Sequence, residues 1–250
     1  MVKPRVIMFG SIGLARKCLE EIILKRDIQL LGVCCVPIVN SWRKDEKSVY
    51  DYCIENNIPI LKMNEIKDLR SDVGFSIRFN QLIPKDVIDS FSKGIFNTHG
   101  GILPSYRGVY SNINALINGE QEYGVTLHYV NEGIDDGDIV DIKKIQIKDE
   151  DTGFTLYQKG EKLCYKVLED NIDSILEGSN TRIKQDKLIK QGLKSVTYST
   201  KDTLKRKEIQ LNNLNNDMTL RVIKAFDSPY HEPAYMMLNG KKIYLRTTWK

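Results

Sequence analysis

No run of about eighteen apolar residues occurs in this chain, so none of it reads as a transmembrane helix. The opening residues, Met1-Val2-Lys3-Pro4-Arg5, lead into an apolar run too short for a signal peptide, and a cytoplasmic protein is expected. Cysteine is scarce and odd in number. The five, Cys18, Cys34, Cys35, Cys53 and Cys164, include no Cys-x-x-Cys, which speaks against a disulfide framework and a thiolate metal site; they read as reduced core residues. Gly-x-Gly-x-x-Gly is also missing. Gly10 and Gly13 have no third partner, so a dinucleotide site is poorly supported. There is no internal repeat and no low-complexity tract. The charge excess is only +4, which does not argue for nucleic acid, although it favours an anionic small-molecule substrate over a cationic one.

What is present is enough apolar residue, 41% of 250, for a sizeable core, as one large domain or a domain with an appendage. Arg5–Gly10 reads as a buried strand, Ser11–Gly13 as a turn, Leu14–Lys25 as a helix and Ile28–Val36 as a second strand. Such a strand–helix–strand opening implies an α/β fold with a mostly parallel sheet. A helix is expected over Ser48–Asn56, short strands at Ile58–Leu61 and Gly74–Phe79, and helices over Pro84–Phe91 and Val109–Asn118. Two strands flank an acidic loop at Asp135, and a long amphipathic helix spans Thr155–Leu176. Composition shifts after Gly192. Residues 195–217 read as a surface linker, Leu220–Phe226 as a short helix, and residues 234–245 as a β-hairpin turning on Asn239-Gly240. The expected domains are therefore 1–192 and a small module, 193–250. Alternate apolar residues on the hairpin (Tyr235, Met237, Ile243, Leu245) predict a homodimer formed across it.

The chemistry concentrates where a strand ends. Gly94-Ile95-Phe96 leads into Asn97-Thr98-His99-Gly100-Gly101, and alternation sends Asn97 and His99 to one side. The carboxyl end of a strand in an open α/β sheet is where such folds bind ligands. His99 can act as a base near neutral pH, and Asn97 can donate to an oxygen gaining negative charge. A carboxylate to fix the tautomer of His99 comes from the loop, as Asp135 or Asp136. His128, mid-strand, reads as structural; His231 has no evident partner, and Trp42-Arg43-Lys44 reads as a solvated surface segment.

Together Asn97-Thr98-His99, Leu103-Pro104, Gly108, Gly124-Val125-Thr126 and Asp135-Asp136-Gly137 resemble, in order and spacing over roughly residues 4 to 180, the folate-dependent formyltransferases. The resemblance implies a Rossmann-like formyltransferase domain that moves a formyl group from N10-formyltetrahydrofolate to an amine, with no metal. It implies Asn97, His99 and Asp135 as the catalytic trio. It implies Arg78, Phe79, Asn80, Val130, Asn131, Gly133 and Ile134 around the pterin. His99–Gly108 and Ala225–Tyr235 look most like the branch acting on nucleotide-linked amino sugars. That branch implies a dTDP- or GDP-linked 4-amino-4,6-dideoxyhexose destined for O-antigen or other surface polysaccharide. For its diphosphate and sugar the candidates are Ser11, Gly100, Tyr106, Arg107 and Tyr110, because a cation and hydroxyls just past the catalytic strand can reach an anion. Transfer to methionyl-tRNA or to glycinamide ribonucleotide are the alternatives within the family. A non-catalytic folate- or nucleotide-sugar-binding relative is the alternative outside it.

Overall fold

Apolar runs build the sheet. Val6, Ile7, Met8 and Phe9 of β1 (Arg5–Phe9) are all fully buried, as a strand covered on both faces requires. β2 (Gln29–Cys34) and β3 (Val73–Ser76) flank β1, and β4 (Gly94–His99) flanks β3, every pairing parallel. β6 (Glu122–Tyr129) then pairs antiparallel with β4, and β7 (Ile139–Gln146) completes the order β2-β1-β3-β4-β6-β7. This sheet with its helices is the Rossmann-like α/β arrangement. The computed structural model describes residues 2–11, 13–37, 48–210, 212 and 216–247; the Trp42-Arg43-Lys44 segment lies outside them. The chain forms two compact units, the first made of Met1–His99, Thr126–Asp141 and Cys164–Lys187, the second of Gly100–Val125, Ile142–Leu163 and Leu188–Lys250.

In the first unit, α1 (Leu14–Cys18) passes into a single π-helical turn, Leu19–Ile23, so the helix expected to reach Lys25 widens and stops early; Leu24 N–H donates to Leu19 O. α2 (Val49–Glu55) starts where Ser48 Oγ accepts from Asp51 N–H. The Ile58–Leu61 strand shrinks to one bridge, Val33 with Ile60. α3 spans only Lys85–Ile88; after it the N–H groups of Ser90 and Phe91 donate three residues back, to Val87 O and Ile88 O, a tighter turn that the Ser90 hydroxyl joins by donating to Val87 O. Phe91 still packs, joining Ile7, Phe9, Cys34, Ile66, Val87 and Ile95 in one apolar cluster. Most of α5 (Gly153–Glu177), from Cys164 on, belongs here and buries Val167, Leu168, Ile172 and Ile175 at helical spacing.

In the second unit, α4 (Ser111–Asn118) packs against α8 (Asp217–Phe226), whose first turn is capped by Asn216 Oδ1 accepting from Thr219 N–H. The stretch expected to be a linker is structured instead. Thr197–Tyr198 forms β8, parallel to β5 (Arg107–Gly108), and Thr200–Lys205 forms α7 with Thr203 buried. Polar partners rather than apolar periodicity hold it: Arg206 donates to Asn114 Oδ1 and Asn118 Oδ1, and Asn114 donates to Thr203 Oγ1. β9 (Ala234–Leu238) and β10 (Lys241–Leu245) form the hairpin. Asn239 and Gly240 both carry positive φ, 49° and 76°, as a type I′ turn demands.

Candidate active site

β4 ends in Asn97-Thr98-His99, and β6 runs beside it with His128 directly opposite Asn97. Cross-strand partners share a face, so the register alone brings a second imidazole to the first two polar groups. Asn97 Nδ2 lies 3.1 Å from His128 Nε2, and His128 Nδ1 lies 2.8 Å from Tyr129 O. The loop after β6 returns Asp135. Its Oδ2 is 3.4 Å from His99 Nδ1 and its Oδ1 is 3.5 Å from His128 Nε2, so one carboxylate spans two imidazoles whose planes cross at 80°. Asn97, His99 and Asp135 therefore meet in the first unit. They meet in the company of His128, buried and held by the backbone as a structural histidine would be, and placed by the register opposite Asn97.

The loop that carries Asp135 is held under strain. Asp135 has φ 49°, a left-handed value uncommon for a residue with a side chain, and such outliers cluster where function requires them. Buried Gln185, at the start of α6 (Gln185–Lys190), donates Nε2 to both Asp135 O and Gly137 O at 2.8 Å. A Cβ at Gly137 would sit 1.8 Å from Tyr129 O, so only glycine lets the loop pass that close to β6. A Cβ at Gly133 would meet Asp136 Oδ2 at 2.1 Å. Of the two carboxylates, then, Asp135 turns to the histidines and Asp136 lies across Gly133, where its Oδ1 is buried with no hydrogen-bond partner. Gln185, about fifty residues downstream, gave no signal in the sequence: its role is a backbone clamp formed only in the fold.

A carboxylate at Nδ1 of His99 favours the proton on that nitrogen and leaves Nε2 as the base, and it stabilises the cation formed when Nε2 is protonated. Asn97 supplies an amide beside it. Among the described residues no three His, Cys, Asp or Glu side chains converge to hold a metal ion.

Around this centre in the first unit, Arg78 is left-handed at φ 53°. Phe79 and Val130 pack against the Phe9 cluster, the Phe79 ring 5.6 Å from Phe9 and edge-on, and Val130 N–H donates to Ile95 O. Asn80 is exposed, Asn131 Oδ1 accepts from Gly133 N–H, and Ile134 is 56% exposed despite its apolar side chain. Ser11 is buried, its hydroxyl accepting from Val36 N–H.

The other expected substrate residues, Gly100, Tyr106, Arg107 and Tyr110, belong to the second unit. Tyr106 is 7% exposed and stacks on Tyr198; its hydroxyl donates to Glu120 at 2.6 Å and accepts from Asn118. Burial and that bond to Glu120 push its ionisation well above the usual phenol range. Tyr110 precedes α4 in a left-handed conformation, φ 57°, with the ring of His231 edge-on to it. Arg107 N–H donates to Val196 O within the β5–β8 pairing, and a Cβ at Gly100 would approach Tyr123 Oη to 3.0 Å.

A family model described as Formyl transferase matches residues 59–172. A solved sugar 3-N-formyltransferase, WlaRD, determined with dTDP and 5-N-formyl-THF, is 28% identical with a TM-score of 0.78, over 97% of this chain and 85% of its own. The N-formyltransferase of Helicobacter canadensis, in complex with folinic acid and dTDP-3-aminofucose, is 26% identical with a TM-score of 0.77, over 97% and 86%. Methionyl-tRNA formyltransferase of Clostridioides difficile is 29% identical over 194 residues; the alignment covers 73% of this chain but only 62% of that protein.

Proposed function

We propose, for a chain that carries a formyl transferase domain and resembles the folate-dependent formyltransferases, sugar N-formyltransferases above all, that it moves the formyl group of N10-formyltetrahydrofolate onto the amine of a nucleotide-linked dideoxy amino sugar. The observation that supports this reading is structural likeness: the two sugar enzymes match 97% of this chain at TM-scores of 0.78 and 0.77, with 28% and 26% identity. The branch that the sequence resembles implies a 4-amino sugar, whereas WlaRD is a sugar 3-N-formyltransferase and the Helicobacter canadensis enzyme was solved with dTDP-3-aminofucose, so both positions enter the test.

The pteridine has a fitting host in the first unit. Ring N–H groups would answer the buried, unpartnered Oδ1 of Asp136, which follows residues 130–134 in the same loop, and Phe79 and Val130 pack on one apolar cluster. Bound there, the folate supplies the formyl carbon and the nitrogen it leaves. His99 Nε2 takes the proton shed by the attacking amine, and Asp135 holds the resulting imidazolium. Asn97 donates to the oxygen that gains charge, a contribution of roughly a hundredfold or more in rate for one well-placed donor. The proton then passes from His99 toward the departing nitrogen, which regenerates the base.

The curated relatives favour a second reading, transfer to methionyl-tRNA. Steady-state formylation against dTDP- and GDP-linked 3-amino and 4-amino sugars, glycinamide ribonucleotide and charged methionyl-tRNA separates them. Turnover of an amino sugar alone is expected. Turnover of the tRNA alone, with steep salt dependence, would replace the first reading with the second. Folate binding with no turnover of any acceptor would point to a binding protein.

The product would serve cytoplasmic synthesis of O-antigen or another surface polysaccharide. We assign dimerisation to the hairpin, where Met237, Leu238, Ile243 and Tyr244 are 39 to 53% exposed. Light scattering of a monomer at micromolar concentration would end that assignment.

A further inference from the structure

We infer that His128 is a positioning residue: it sets which end of the Asn97 amide faces it, and so which end is left for the reaction. The inference rests on the reading of Asn97 as the donor to the charged oxygen. A backbone carbonyl only accepts, so the 2.8 Å contact of His128 Nδ1 with Tyr129 O places the proton on Nδ1. In the neutral imidazole Nε2 is then bare. Asn97 Nδ2, 3.1 Å away, donates one N–H to it. Turning the amide over would set Oδ1 against the Nε2 lone pair, two acceptors face to face. One orientation of Asn97 is therefore selected, with its second N–H and its Oδ1 directed elsewhere in the site.

The selector is rigid. His128 is 2% exposed, and the antiparallel register fixes its backbone against that of Asn97. The carbonyl it leans on belongs to a residue whose own N–H donates to Asp138 O at 2.8 Å. Among the described residues, Asn97 and His99 on β4 and Asp135 in the loop face His128 from the neighbouring elements. Asp135 Oδ1, at 3.5 Å from Nε2, stands farther off than Asn97 Nδ2. A proton on Nε2 would pair with that carboxylate and confront the Asn97 N–H with a second donor, so the bare nitrogen is the state that keeps Asn97 in place.

Two variants and one spectrum test this. His128→Leu removes the acceptor; kcat should fall roughly 30- to 100-fold, less than deletion of the donor itself, with KM for both substrates within about threefold. His128→Gln offers an oxygen where Nε2 stands and should recover kcat to within about tenfold of the parent. Each variant is first shown to be folded by circular dichroism. A His128→Leu enzyme with kcat within about threefold of the parent overturns the inference, as does a folded His128→Gln enzyme no better than His128→Leu. The chain holds three histidines, so nitrogen NMR of ring-labelled protein resolves His128 directly. In the assay buffer it should show a protonated Nδ1 and a bare Nε2, and a proton on Nε2 overturns the inference. The spectrum needs no turnover, so it stands even if formyl transfer is not found, which would count against the proposed function alone.

Discussion

Gly137→Ala should move the Asp135 carboxylate, the proposed partner of His99, without touching it. The added Cβ would lie 1.8 Å from Tyr129 O, where ordinary contact begins at 3.4 Å, so loop or strand must yield by about 1.6 Å. Tyr129 resists, because its N–H is tied to Asp138 O and its neighbour Val130 donates to Ile95 O. The loop resists less, and moving it stretches both Gln185 bonds to Asp135 O and Gly137 O, now 2.8 Å. Asp135 Oδ2 stands 3.4 Å from His99 Nδ1, already at the edge of contact. A displacement of an ångström or more at such a site costs roughly a hundredfold in rate, or about 2.7 kcal/mol of barrier. Overpacking should also cost about 1 to 3 kcal/mol of stability. The assay is steady-state formyl transfer, followed by release of tetrahydrofolate, beside chemical denaturation of the same preparation. Activity within about threefold of the parent would refute the claim that this loop's close pass along β6 sets the position of Asp135.

Other perturbations separate chemistry from scaffold. His99→Ala should lower kcat by roughly a hundred- to ten-thousandfold while tetrahydrofolate still binds in calorimetry; near-intact turnover would remove His99 as the base. Tyr106→Phe takes from exposed Glu120 its 2.6 Å donor and should cost about 0.5 to 1.5 kcal/mol in chemical denaturation, and an unchanged midpoint would show the bond to be dispensable. Burial pushes the Asp151 carboxyl up, but Lys159, the Lys148 N–H and the Thr155 hydroxyl together hold it below the usual carboxylate value. Its folded-state value is thus depressed. The stability it contributes is present above about pH 4 and is lost as pH falls through the lower folded value. Asp151→Asn should flatten the acid limb of the stability–pH curve, and an unchanged limb would count against this account.

The strands were legible where burial on both faces leaves an uninterrupted apolar run, as in Val6–Phe9 and Gly94–Phe96. The terminal hairpin was legible because Asn239-Gly240 suits a turn that needs positive φ at both positions. The candidate site was half legible. Asn97, His99 and the Asp135-Asp136 pair stand out as residue types at strand ends. Whether Asp135 or Asp136 faces the histidines is decided by the left-handed turn at Asp135 and by the packing of Asp136 on Gly133, neither of which has a local signature.

The place of His128 opposite Asn97 was not legible, because register between distant strands is not written in either strand. Residues 197–205 were misread because they are short and polar. Their order comes from Arg206, Asn114 and Asn118, residues far apart in sequence, and not from a periodicity. Tyr106 suited an anion by its type, yet its hydroxyl is committed to Glu120 and Asn118.

Asn97, His99 and Asp135 are proposed to carry formyl transfer to a nucleotide-linked amino sugar. The most direct test is a single turnover with carbon-labelled N10-formyltetrahydrofolate and dTDP-linked 3-amino and 4-amino sugars, read by mass spectrometry of the sugar nucleotide for the parent and for His99→Ala. The label is expected on the sugar nitrogen with the parent and is expected to be nearly absent there with His99→Ala. Label that stays on the folate with the parent, or reaches the sugar equally fast with both proteins, would contradict it.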